Sequence, residues 1–329
     1  MSAVRRMLLA LVLFSVQSPA TAKGNDLSLP TDCYDFQNIA SVSLPVGGAC
    51  DEVRYLDGVL NKAKQLTPIG QPELLGLRVY NRPYQSDGRY DPLYQHIQVS
   101  MTFGDFAQQE NAKKVLLHEY GHHMYFDLLL KRTPKLHAKF KSFWRHRRSF
   151  YELLSDRRCE AHGSADCKQL SKEAWNSWFQ RRGIDSGYFE SFVEGHQAKM
   201  SRLQTIHQPY SEVFADFFAA VVSGDPEINV HRTSFPQPRG CRGFDASASS
   251  FADATAHCYL ASLRPTLWAY ASGSHQATKS DLLLLVGSAL IDAAVALPWS
   301  PSSAPLSEDH VSEIQHFVER ALALPSVGY

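Results

Sequence analysis

The run His118-Glu119-Tyr120-Gly121-His122 sets two imidazoles four residues apart, with a carboxylate beside the first. On a helix, positions i and i+4 share a face one turn apart, so both rings can reach one ion. A catalytic zinc site needs ligands that converge at about 2 Å and one coordination position kept open. Glu119 then stands where a general base is required. It can take a proton from water and hand it to a leaving amine. Gly121 does not favour the helix, since a mid-helix glycine costs about 1 kcal/mol. Close packing against another element explains it better.

Two histidines do not complete such a site. The extended pattern H-E-x-x-H-x-x-G-x-x-H is absent, because Tyr125 and Leu128 occupy its last glycine and histidine positions. A carboxylate from a later helix is the alternative. Glu212 fits, within Ser211-Glu212-Val213-Phe214-Ala215-Asp216. Glu212 and Asp216 also share a helical face. Glu212 is expected to be the third ligand, and Asp216 to accept the free N–H of a ligand histidine and so fix its tautomer. Val213, Phe214, Phe217, Phe218, Ala219 and Val221 make this helix strongly apolar. Carboxylates in such surroundings need partners, because unpaired buried charge is costly.

His118 to His122, together with Glu212-x-x-Ala215-Asp216, resembles the gluzincin group of zinc metallopeptidases, which includes the thermolysin-like enzymes. The resemblance implies one Zn2+ per chain on His118, His122 and Glu212, with Asp216 supporting a histidine, Glu119 as base, and a protein or peptide substrate. It covers the two helices and the strand before them. The 90 residues from His122 to Glu212 exceed the gap in thermolysin-like enzymes. Lethal-factor-like toxins also show a wider gap than thermolysin-like enzymes, and a similar aromatic-rich Glu helix. The resemblance also calls for an oxyanion donor, a Tyr or His. Tyr210, His231, His257 and Tyr259 are all candidates. Two other readings stay open: a zinc hydrolase of a non-peptide substrate, and a non-catalytic binding protein of zincin shape. The second would have little need of Glu119.

The elements that must position these residues follow from periodicity and turn signals. Residues 51–64 read as a helix and 74–80 as a strand, whereas 81–91 is turn-rich through Ser86-Asp87-Gly88. Residues 96–103 alternate as a half-buried strand does. In the fold that the resemblance implies, this strand lies at the sheet edge and pairs with extended substrate; a plain core strand is the alternative. Val115, Leu116, Tyr120, Met124 and Leu128 mark a helix over 107–130. A second amphipathic helix covers 135–155, a Trp-rich one lies near 172–182, and a short apolar one spans 211–222. Residues 229–255 read as a loop, and 258–270, 281–296 and 307–323 as closing helices. His123 lies about 100° around the helix from His122 and reads as a bystander; His207 reads as a loop residue. Strands followed by helices predict an α+β fold, mostly helical and zincin-like, with a small N-terminal sheet, an active-site helix and a Glu-bearing helix. A helical insertion is expected at about 131–205.

Residues 1–22 read as a signal peptide: Arg5-Arg6, an apolar run from Met7 to Val16, then Ala20-Thr21-Ala22. Export to a periplasmic or extracellular space is therefore expected, with a catalytic domain over 23–329. Six cysteines suit an oxidising compartment, and their local spacing suggests Cys33–Cys50, Cys159–Cys167 and Cys241–Cys258. No C-x-x-C pair argues for a structural zinc site. Equal numbers of basic and acidic residues, 33 each, remove any bulk attraction to nucleic acid, and no nucleic-acid motif is present. Locally, residues 131–150 hold eight basic and no acidic side chains, interleaved with Phe140, Phe143 and Trp144. That pattern suits either weak contact with an anionic surface or the solvated face of a packed helix.

Overall fold

The computed structural model describes residues 39–43, 49–66, 76–81, 87–93, 95–101, 106–155, 180–181, 183, 188–226, 244, 258–273, 277–300 and 308–323. The described chain is mostly helical with one small sheet, as an α+β arrangement requires. The expected signal segment and most of the 172–182 and 229–255 segments lie outside these residues. No described helix is long and apolar enough to cross a membrane.

Four strands build the sheet: β1 (Ile39–Ser43), β2 (Gly76–Asn81), β3 (Asp87–Asp91) and β4 (His96–Met101). Their spatial order is β1-β2-β4-β3. β1, β2 and β4 run parallel, and β3 is antiparallel to β4. A parallel pair needs a crossover, and α1 (Ala49–Gln65) supplies the one between β1 and β2. One β-α-β unit thus precedes the helices, where sequence alone suggests irregular chain before residue 50. Two further expectations are corrected. The turn signal Ser86-Asp87-Gly88 starts a strand rather than a loop, because Asp87 to Asp91 pair along the whole of β4. And β4 is neither half-buried nor at the edge. It lies between β2 and β3 with only Gln98 partly exposed, so among the described residues β3 is the outermost strand on that side.

α2 (Phe106–Lys131) is the central helix. The apolar stripe from Val115 to Leu128 is buried as expected, but so is nearly every residue from 115 to 130. A helix buried all round belongs in a core, and α2 is wrapped by α1, by β3 and β4, and by α4 (Tyr188–Ser223). α3 (Pro134–Ser155) follows after a short turn. The expected short helix at 211–222 is only the last third of α4, which runs for 36 residues straight through Pro209. A proline inside a helix removes one hydrogen bond and costs about 3 kcal/mol. Burial of Val213, Phe214, Phe217 and Phe218 in the common core outweighs that cost. α5 (Leu263–Gly273), α6 (Lys279–Ala296) and α7 (Glu308–Ala323) close the fold. α6 starts with a capping box between Thr278 and Asp281. Its Leu283, Val286 and Leu290 join the same core.

Candidate metal centre

Two helices bring the expected ligands together. His118 and His122 come from α2 and Glu212 from α4, and one ligand atom from each lies within 4.8 Å of the others. The two Nε2 atoms are 3.1 Å apart. Glu212 Oε2 lies 3.4 Å from His118 Nε2 and 3.6 Å from His122 Nε2. Gly121 makes this approach possible. A Cβ there would stand 2.6 Å from Ala215 Cα and 3.0 Å from Ala215 O. The glycine between the histidines is thus the point where α2 and α4 touch backbone to backbone, beside the two ligand pairs.

Behind the ligands stands a buried charge relay. Asp216 Oδ1 lies 2.9 Å from His118 Nδ1, and its Oδ2 accepts from Arg264 Nη2 at 2.7 Å and Nε at 3.2 Å. Asp216 and Arg264 are both fully buried. A buried carboxylate is tolerable when opposite charge and hydrogen bonds surround it. Arg264, at the start of α5, escapes a reading by motif. Its signal was present all the same: one arginine directly after the largely apolar run Tyr259-Leu260-Ala261-Ser262-Leu263, in a chain whose 211–222 helix carries two carboxylates in apolar surroundings.

The donor set fits a cation. With its Nδ1–H given to Asp216, a neutral His118 offers only a lone pair at Nε2. That lone pair faces the carboxylate oxygen of Glu212 and the Nε2 of His122. A metal held tetrahedrally at about 2.0–2.2 Å sets its ligands about 3.3–3.6 Å apart. The three separations found span 3.1 to 3.6 Å. The group His118, His122 and Glu212 could therefore hold one metal ion.

Glu119 is buried on the side of α2 that faces β3, its Cγ and Oε1 each 2.9 Å from where a Cβ on Gly88 would be. The other candidates are placed elsewhere or not described. Tyr210 is buried and donates its hydroxyl to the carbonyl of Leu297 at 2.5 Å; burial raises its pKa. Tyr259 packs against Trp299. His231 and His257 lie outside the described residues. Cys258 is disulfide-bonded, whereas Cys33, Cys159, Cys167 and Cys241 lie outside them. His207 is not in a loop. It sits inside α4, its Nδ1 2.8 Å from the Tyr125 hydroxyl, and burial lowers its pKa to about 4. In α3 the aromatics serve the core: Phe143 stacks on Phe192 at 4.1 Å, and the Trp144 indole donates to the Leu93 carbonyl. Lys131 pairs with Asp127 and Arg132 with Asp292, and Lys135, Lys139 and Arg145 are exposed. No family model matches the chain, and no characterised protein or solved structure is significantly similar to it.

Proposed function

We propose that this chain is a zinc-dependent metallopeptidase of gluzincin type, acting outside the cytoplasm on a protein or peptide. The carrying observation is the convergence of His118 Nε2, His122 Nε2 and Glu212 Oε2 at 3.1 to 3.6 Å, backed by Asp216. Two imidazoles and one carboxylate form a donor set that zinc uses at catalytic sites, where a fourth position stays open. Bound there, zinc would supply Lewis acidity, polarising a carbonyl and making water acidic enough to react near neutral pH. The protein's own groups do the rest. Asp216 holds His118 in one tautomer and orientation. Glu119, next to His118 and buried, would accept a proton at its carboxylate and release it to the leaving nitrogen. β3, the outermost strand on this side, lies beside Glu119 and is where an extended peptide backbone could add. That strand takes over the role the sequence suggested for β4, and it favours a peptide over other substrates.

Cleavage-site profiling on a mixed peptide library tests this reading. Wild-type protein should cut peptide bonds, lose that activity to a chelator and regain it with zinc. Glu119→Gln should keep the metal and lose the cutting. Equal cleavage by both forms would exclude Glu119 as base. A zinc-loaded wild type that cuts nothing would remove the peptidase reading.

A further inference from the structure

Gly88 on β3 contacts the same buried face of α2 that carries the assigned base. A Cβ at this position would lie 2.3 Å from Val115 Cγ1, 2.9 Å from Glu119 Cγ and 2.9 Å from Glu119 Oε1. Ordinary carbon contacts sit near 3.5–4.0 Å, so an added methyl would force a shift on the order of 1 Å. The need is for space and not for a special backbone, since Gly88 is not among the residues with positive φ. Nor is the strand free to slide away. Gly88 pairs with Val99 in the antiparallel register of β3 and β4. Two residues on, and therefore on the same face of the strand, Tyr90 is buried with its hydroxyl 3.1 Å from His123 Nδ1. The spacings match. Two residues of strand rise about 6.8 Å and four of helix about 6.0 Å, so Gly88 meets Glu119 where Tyr90 meets His123. The bystander histidine of the sequence is thus an anchor point for the strand.

We infer that Gly88 is a positioning residue for Glu119: its bare backbone is the wall against which the carboxylate is held. The inference rests on the peptidase reading above and adds a specific dependence to it. Of the atoms in the way, the glutamate's end is the easiest to displace. Val115 is β-branched and stiff in a helix, and the backbone of β3 is tied to β4. A side chain at position 88 therefore has two effects. It strains the contact of β3 with Val115, which costs stability, and it drives the carboxylate of Glu119 aside, which costs turnover.

The two effects separate experimentally. Turnover on a peptide cleaved by wild-type protein, thermal midpoint and zinc content would be measured for Gly88→Ala, Val115→Ala and the double variant. Gly88→Ala should keep about one zinc, because no ligand is touched, and lose turnover by about 100-fold, the scale of a misplacement near 1 Å. Removing Cγ1 in the double variant relieves the 2.3 Å collision and should recover most of the lost thermal midpoint. It leaves Glu119 displaced, so turnover should stay about 100-fold below that of Val115→Ala. Turnover that returns together with the midpoint would show a merely structural glycine and overturn the inference, as would wild-type turnover in Gly88→Ala. Failure of the parent reading looks different: wild-type protein itself would then lack zinc or activity.

Discussion

Among the described residues, His118, His122, His123 and His207 lie buried or nearly so on α2 or against it, and they form two pairs of opposite character. His118 and His122 face each other and Glu212, with Asp216 behind one of them. His123 and His207 each face a tyrosine, Tyr90 and Tyr125, and burial lowers both pKa values to about 4. The residue type is the same, and three of the four share one helix. The neighbours decide the chemistry. Carboxylates in contact with an imidazole build a place for positive charge, whereas burial against a tyrosine favours a neutral ring, and at His123 it outweighs the attraction of Asp127 one turn on.

The largest effect that would break this contrast is loss of a carboxylate ligand. Glu212→Ala should weaken zinc binding by more than about 100-fold, while His207→Gln should leave it unchanged. Isothermal titration with zinc reads both, and equal loss in the two variants would erase the distinction. Next is the response to acid. His207 has a folded pKa near 4 against an ordinary 6.5, so the unfolded chain takes up a proton first as pH falls. Its contribution is complete above about pH 6.5 and is lost on the way down to about pH 4, up to about 3 kcal/mol. Denaturation curves for wild type and His207→Gln should therefore diverge over that window, with the variant the less acid-sensitive. Parallel curves would contradict a buried neutral His207. Asp216→Asn should lower zinc affinity by roughly 10–100-fold by loosening the tautomer of His118. Arg264→Met should act in the same direction, because it removes the guanidinium that holds the other oxygen of Asp216. The smallest effect is Tyr125→Phe. It removes one hydrogen bond to His207 and should cost about 1 kcal/mol in thermal unfolding with zinc affinity intact.

Much of this was legible from residues alone, where the signal is local. The helix read at 107–130 spans Phe106–Lys131, because its apolar repeat is long and turn signals bound it. Glu212, the third member of the group that could hold a metal ion, was singled out because two carboxylates in an apolar helix demand partners. What escaped was set by distant packing. The helix read at 211–222 is the end of a much longer one that passes through Pro209, since its far end is locked into the core. Asp87-Gly88 carries a turn signal, yet pairing with β4 and contact with α2 make it strand. Arg264 lies 48 residues from Asp216, and no motif announces such a pair.

The most direct test is zinc-edge X-ray absorption on the purified chain. About one zinc per chain, bound by two imidazole nitrogens and carboxylate or water oxygens at about 2.0–2.2 Å, is the expected result. Loss of the carboxylate contribution in Glu212→Ala should accompany it. A chain that binds no zinc, or binds it through sulfur, would contradict the central claim that His118, His122 and Glu212 form one metal centre.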